Sequence, residues 1–162
     1  MATTYSAQAT ITAGIQGLYD RNDEINTTRT QVDNVLKFQF LDTGPNLIDL
    51  IFARNRAVAG TVSLGGTSAF VDEYGVSRGF SKIQGLIIAN KATGVGDSVT
   101  VDSTNFSGVQ DGTVIPPGGC LLVTAPGSGW TIINTSNIAI SGSGTINVDI
   151  FAVGYSNIEG GS

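Results

Sequence analysis

Apolar and polar residues alternate along much of the chain beyond position 35, which is the pattern of half-buried β-strands. The first such run covers residues 35–41 and ends at the turn signal Thr-Gly-Pro-Asn at 43–46. Similar runs follow at short spacing, and we predict a strand at each of residues 60–64, 83–90, 98–102, 120–124, 130–134, 138–141 and 145–155. The chain is therefore predicted to be mainly β.

Residues that favour chain reversals separate these runs. Turn signals stand at 94–97, 116–119 and 142–144. The Gly-Ser-Gly at 142–144 is the strongest hairpin signal, because segments 138–141 and 145–150 alternate on either side of it and can turn their apolar faces toward one core. Several short antiparallel strands of this kind indicate a β-sandwich or a jelly roll.

Residues 47–53 leave two interpretations open. The segment is apolar at nearly every position, so it suits a buried strand. A short helix that begins after Asn46 fits the same residues equally well. The pattern predicts burial for this segment and does not decide between the two structures.

The first 34 residues differ from the rest of the chain. They are rich in Thr, Gln, Asn and Asp, and their apolar residues follow neither a helical nor a strand period. Gly14, Gly17 and Asn22 weaken any helix there. We expect an extended, mostly irregular N-terminal arm at residues 1–34, followed by a single β-sandwich or jelly-roll-like domain at residues 35–162.

The composition adds a first indication of function. Only 13% of the residues are charged, although 41% are apolar, whereas a soluble domain usually carries about 25% charged residues. Ser, Thr, Asn and Gly must therefore cover much of the surface. Such a surface indicates that part of it lies against another subunit.

The charges are unevenly distributed along the chain. The first 91 residues hold all eight bases and eight of the thirteen acids, so they are neutral. The remainder has five acids and no base, and it carries the whole net charge of −5. Because phosphate contacts need Lys and Arg, this second half offers no nucleic-acid surface, and we expect no nucleic-acid partner. We also expect no membrane association and a cytoplasmic site of synthesis, since neither a secretory signal nor a membrane-length apolar run occurs.

Catalytic chemistry is poorly represented. The chain has no His, which removes the commonest general base and the imidazole-based zinc sites. Asp20, Asp23 and Glu24 could form an acid–base pair or part of a calcium loop, but Ile25 stands where such a loop needs glycine. We favour a solvated loop for these residues, and we expect neither an enzyme, nor a cofactor, nor a metal site.

Two single residues have competing interpretations. Trp130 could stack on a sugar ring, but it shares the period of a core-facing row with Ile132, so we favour packing. Cys120, the only cysteine, heads an apolar run and is predicted to be a small buried residue. A single cysteine also excludes an intrachain disulfide.

Several short motifs resemble one known group of proteins. These motifs are Phe52-x-x-x-Arg56, Val62-x-Leu64-Gly65-Gly66, Asp72-x-x-Gly75, Phe80-x-x-Ile83-x-x-Leu86-x-Ile88-x-Asn90, Pro116-Pro117-Gly118-Gly119 and Trp130-Thr131-Ile132. Together they resemble tailed-phage virion structural proteins of the capsid decoration, or cement, type. The resemblance covers roughly residues 35–155.

The resemblance implies a subunit that binds the outer surface of a phage head and bridges capsomers. Its implied partners are the major capsid protein and further copies of the chain, as a homotrimer or another homo-oligomer. The implied location is the capsid exterior of the virion, after synthesis in the bacterial host cytoplasm. Such a subunit needs a complementary surface of about 800 Å² per partner and no reaction centre.

Three arginines are the candidate shell or subunit contacts. They are Arg54, Arg56 and Arg78. We expect the neutral first half of the chain to face the shell and the acidic second half to face outward. An equally good alternative is that the arginines only form intrachain ion pairs with acids nearby in sequence, namely Asp49, Asp72 or Glu73.

A different function class is a receptor-binding or carbohydrate-binding module of a phage tail or fibre. Trp130 and the Asp-bearing loops would then form a shallow site. A decoration protein is present in many copies per virion and such a module in few, so copy number separates the two functions. A fibre or pilus subunit is a third possibility, and the missing secretion signal counts against it.

Overall fold

The computed structural model describes residues 9–22, 27–40, 50–58, 64–65, 70–71, 76–104, 106–132, 137–142 and 146–156. All the regular secondary structure in these residues is β-strand, which confirms the prediction of a mainly β protein. The strands are β1 (Ala9–Asn22), β2 (Thr27–Phe40), β3 (Leu50–Val58), β4 (Phe70–Val71), β5 (Ser77–Arg78), β6 (Phe80–Asn90), β7 (Val99–Thr104), β8 (Thr113–Ile115), β9 (Cys120–Thr124), β10 (Trp130–Thr131), β11 (Asn137–Gly142) and β12 (Ile146–Ser156). No helix in the described part is long and apolar enough to cross a membrane.

The strands of the described residues form several antiparallel sheets. The largest is five-stranded, with the order β10-β6-β12-β3 and with β9 also paired to β6. A three-stranded sheet has the order β11-β7-β8. Two smaller sheets are the hairpin β1-β2 and the pair β4-β5.

One hydrophobic core joins the five-stranded and three-stranded sheets. Because successive side chains of a strand point to opposite faces, every second residue of the central strands enters this core. From the larger sheet it receives Leu86, Ile88, Val148, Ile150 and Ala152, and from the smaller sheet Val99, Val101, Ile115, Ile138 and Ile140. We call the core-facing side of the five-stranded sheet its inner face.

The Asn90 side chain connects the two sheets with hydrogen bonds. Its Nδ2 donates to the carbonyl oxygens of Asp97 (2.8 Å) and Ile115 (3.1 Å), and its Oδ1 accepts from the Ala92 N–H (3.0 Å). Only 1% of the residue is exposed. Because buried polar groups are costly without partners, this bonded amide links the end of β6 to β8 at one defined position.

The prediction of a mostly irregular arm is wrong for the described N-terminal residues. β1 and β2 form a regular antiparallel hairpin, from the pair Ala9↔Phe40 to the pair Asn22↔Thr27. The predicted domain boundary after residue 34 falls inside β2. Strand formation there depends on pairing between the two strands, which periodicity within one segment does not reveal, and the β-branched Thr and Ile residues favour it.

The predicted hairpin across 142–144 is also wrong, although its apolar faces were assigned correctly. β11 pairs with β7, whereas β12 pairs with β3 and β6 in the other sheet. Ile140 and Ile150 nevertheless enter the same core. Alternation of residue types fixes which face of a strand is buried, and it does not fix which strand is its neighbour.

Most of the other strand predictions fall on observed strands. Segments 83–90, 98–102 and 120–124 are confirmed by β6, β7 and β9. Residues 50–53 are a strand, which decides the helix-or-strand alternative for the described part of 47–53. Residues 60–63 and 133–134 lie outside the described residues. The three-residue β8 was missed because it is too short to show a period.

The turn signals at 94–97 and 116–119 are confirmed as turns. Gly96 has φ 99° and Gly118 has φ 70°. These are left-handed conformations that residues with a Cβ adopt only at a cost, so glycine is required at both positions.

Candidate functional site

The side of the five-stranded sheet that faces away from the core is also apolar. Its described apolar residues form a second hydrophobic cluster with the hairpin. The sheet contributes Ile51, Ile87, Leu122, Phe151 and Val153. We call this surface the outer face.

Strand register aligns these residues in rows across the sheet. Leu122 of β9 is opposite Ile87 of β6, and Ile87 is opposite Phe151 of β12. Val153 is opposite Ile51 of β3 in the next row. Directly opposite side chains lie about 4.5–5.5 Å apart between Cβ atoms, so each row is a continuous apolar strip.

The hairpin covers only part of the outer face. Ala9, Ile11 and Phe38 pack against it, and Ile11 is 3% and Val153 0% exposed. The row formed by Leu122, Ile87 and Phe151 stays half-buried. Leu36, two residues before Phe38 in β2, is 56% exposed. An apolar surface therefore continues beyond the covered part on both the sheet and the hairpin.

A polar group borders the apolar row. Asn55 Nδ2 donates to Asp149 Oδ1 at 2.6 Å, and Lys91 Nζ lies 3.4 Å from Asp149 Oδ2. The hydrogen bond from Asn55, and secondarily the charge of Lys91, lower the pKa of Asp149. The Asp149 carboxylate is thus held ionised beside the apolar residues.

The polar group and the apolar row meet in a shallow depression. Its volume is about 330 Å³. It is lined by Ala53, Arg54, Asn55, Ile87, Asp149, Ile150 and Phe151. The depression has an aromatic ring beside hydrogen-bonding groups, which is a combination typical of ligand-binding surfaces.

The structure gives the three candidate arginines different surroundings. The Arg54 guanidinium donates to the Val71 carbonyl oxygen at 3.1 Å and lies 5.8 Å from the Phe52 ring centroid. Arg78 is buried, with 5% exposure. The backbone of Arg56 pairs with Val148, and its side chain lies outside the described ones.

The structure therefore does not gather the three arginines into one surface patch. Contact through Arg78 would require surrounding residues to move. The alternative partners of these arginines, Asp49, Asp72 and Glu73, lie outside the described residues.

The described strands of the two halves share one sheet and are not separated in space, while the expectation that the first half faces the shell stays a prediction. β12, from the acidic second half, lies between β6 and β3 of the neutral first half. The outer face therefore combines residues from both halves, such as Ile51 and Phe151. Net charge along the chain did not reveal this, because sheet order interleaves distant segments.

Trp130 and Cys120 have opposite outcomes. The Trp130 ring packs against the core and meets the Phe106 ring edge-on at 5.8 Å between centroids, which confirms the packing interpretation. Cys120 is exposed, so the prediction of a buried thiol is wrong. Cys120 is the first residue of the edge strand β9 and lies on the same face as Leu122. Partial desolvation raises the pKa of its thiol.

The remaining candidate chemistry is dispersed. Among the described residues, no group of three or more Cys, Asp or Glu side chains could hold a metal ion. Asp111 accepts a hydrogen bond from the Ser103 N–H at 2.8 Å, which stabilises the intervening loop. The cluster at residues 20–24 falls outside the described side chains.

Sequence reasoning did not identify the outer face, although a signal for it exists. Residues 86–88, 121–123 and 150–153 are apolar at every position. Alternation is lost where both faces of a strand are covered, so these uninterrupted runs mark the strands that carry the outer face.

Comparison of the chain with protein-family models, with curated proteins and with solved structures gave no match.

Proposed function

We propose that the chain is a non-enzymatic virion structural protein, a decoration subunit that binds the outer surface of a phage head and bridges its capsomers. The major capsid protein and further copies of the chain are its partners in this proposal. Its place is the capsid exterior, after synthesis in the bacterial host cytoplasm. The observation that carries the proposal is the half-covered apolar outer face, because a docking protein needs such a surface and no reaction centre.

The composition of the outer face supports docking to protein. Protein interfaces typically have an apolar centre surrounded by a polar rim. Ile87, Leu122 and Phe151 supply the apolar centre, while Asn55 and Asp149 supply part of a rim. The motifs that resemble decoration proteins include parts of β3 and β6, which are two strands of this same sheet.

We infer further that the two larger sheets are the layers of one β-sandwich and that the hairpin is its docking arm. Buried residues from both sheets belong to one core, which supports the two-layer arrangement. The docking role of the hairpin is supported by Leu36, because its exposed side chain extends the apolar surface beyond the covered end of the hairpin. The arm is then a strand pair with a regular backbone.

Two matched substitutions test the docking role. Leu36→Asp introduces a charge on the hairpin at a residue 56% exposed, and Val114→Asp introduces the same charge on β8 at a residue 58% exposed. We expect Leu36→Asp to reduce sedimentation of the protein with phage heads that lack it by about tenfold or more, because the charge must be desolvated in the interface. Val114→Asp should bind like the native chain. Equal binding by both variants would contradict a role of the hairpin.

A receptor- or carbohydrate-binding module of a tail or fibre is the second candidate function. The depression beside Phe151 favours it, because an aromatic ring next to Asn55 and Asp149 offers stacking and hydrogen bonds to a sugar. In this proposal the depression takes the place of Trp130 as the sugar-binding position, because the Trp130 ring packs against Phe106.

Glycan binding by the isolated protein distinguishes the second candidate from the first. On a glycan array, the module function predicts binding that Asn55→Ala and Phe151→Ala each abolish and that Val114→Ala leaves unchanged. The decoration function predicts no glycan signal for the native chain.

A further inference from the structure

We propose that the edge of β9 that faces away from β6 pairs with the same edge of a second copy of the chain, so that two five-stranded sheets join across a twofold axis at Leu122. This inference does not depend on the decoration function. Its basis is the backbone register of β9, its uncharged sequence, and the apolar row that ends at this edge.

The register shows which backbone groups of β9 are available. Asn90 N–H donates to the Gly119 carbonyl and Ala125 N–H to the Gln84 carbonyl, on either side of the paired segment. The alternation of an antiparallel ladder then directs the N–H and C=O groups of Leu121 and Val123 toward β6. The groups of Cys120, Leu122 and Thr124 point away from β6, and no strand in the described part of the chain pairs with them.

The two edges of the five-stranded sheet differ in how they oppose unwanted pairing. Charged side chains on an edge strand oppose pairing with another chain. β3 carries Arg54 and Arg56, whereas β9 reads Cys-Leu-Leu-Val-Thr and has neither charge nor proline. β9 also lies within residues 112–148, a stretch without a single charged residue. The β9 strand itself therefore contributes no like-charge repulsion between two copies at this edge.

The available groups of β9 are complementary to themselves. They are centred on Leu122, so antiparallel pairing of two β9 strands places Leu122 opposite its counterpart and Cys120 opposite Thr124 of the second copy. Every outward-pointing N–H and C=O of the strand then has a partner. Pro116 and Pro126 flank the segment and limit the pairing to its length.

The apolar row gives a second, independent reason for this partner. The strip from Phe151 through Ile87 ends at Leu122, which is half-buried at the sheet edge. A twofold axis perpendicular to the sheet keeps both outer faces on the same side. Leu122 of each copy then covers the other, and the strip continues without interruption across the joined sheets.

Charges introduced at two positions of this edge test the pairing. Cys120 is exposed and Thr124 half-buried, and both lie on the outer face at positions opposite each other in the joined sheet. The variant C120K/T124K places like charges opposite each other, and C120K/T124D places opposite charges there. The two variants differ only in the sign of one side chain, so each is the control of the other.

The experiment is sedimentation equilibrium of the full chain under reducing conditions, which prevent disulfide formation by Cys120. We expect the native chain to form a dimer of twice 16.7 kDa. C120K/T124K should raise its dissociation constant by about tenfold or more, since each dimer contains two such contacts. C120K/T124D should dimerise like the native chain. Circular dichroism checks that each variant is folded.

A further variant covers the case in which C120K/T124K does not fold. Leu122→Pro replaces the central apolar side chain, and the one backbone donor that it removes points away from β6, so the ladder inside the chain is preserved and the dimer should be lost. A native chain that stays monomeric at about millimolar concentration would overturn the proposal. A dimer that responds equally to both charge variants would overturn it as well, because the interface would then lie elsewhere.

Discussion

The two faces of the five-stranded sheet are built from the same strands but are buried to very different degrees. On β12, Ile150 points to the inner face and is 1% exposed, while the next residue, Phe151, points to the outer face and is half-buried. The inner face is completed by another sheet of the same chain, whereas the outer face is covered only partly by the hairpin. We infer that the inner face provides stability and that the outer face provides recognition.

The largest expected effect distinguishes these roles at neighbouring positions of β12. Ile150→Ala should lower the free energy of unfolding by about 3 to 4 kcal/mol, because it leaves a cavity between the two sheets. Phe151→Ala should cost only about 1 to 2 kcal/mol, because the ring is partly in solvent already. Urea denaturation of both variants measures the difference. Equal losses would contradict the division between the faces.

The next largest effect concerns the hydrogen bonds that close the inner face. Asn90→Ala should lower the free energy of unfolding by about 2 to 3 kcal/mol, since the carbonyls of Asp97 and Ile115 lose their donor at a site that is 1% exposed. Asn55→Ala, on the outer face, provides a control in which the amide is exposed. Thermal unfolding that ranks Asn55→Ala as the more damaging substitution would refute this part of the account.

The smallest effect is the acid response of the outer face. The pKa of Asp149 is lowered in the folded chain, so its stabilising contribution is present above the unfolded pKa of about 3.9. That contribution is lost as the pH falls through the lower folded pKa. Asn55→Ala removes the main cause of the shift and should raise the pKa of Asp149 toward its ordinary value. Carbon-13 NMR titration of the carboxyl group measures the change, and an unaltered midpoint would show that Asn55 does not cause it.

The sequence predicted which segments are strands far better than it predicted how they pair. β9 was located at its observed bounds, because a short apolar run between prolines has few alternatives. β11 and β12 were assigned to one hairpin, yet they belong to different sheets. Pairing partners depend on the whole core, and local alternation carries no information about them.

The candidate site was less predictable for a related physical reason. The three arginines were selected by charge and position, and the structure buries one of them, Arg78. The outer face consists of residues that resemble core positions, since Ile87 and Phe151 lie inside continuous apolar runs. Only the three-dimensional arrangement shows that the hairpin covers some of these residues and leaves others half-exposed.

The most direct test of the central claim is cryo-electron microscopy of the particle that carries this protein. The account predicts many ordered copies on the outer shell, with Phe151 and Leu36 buried against the shell or against a neighbouring copy. A few copies at the tail, or shell-bound copies whose outer face is open to solvent, would contradict it.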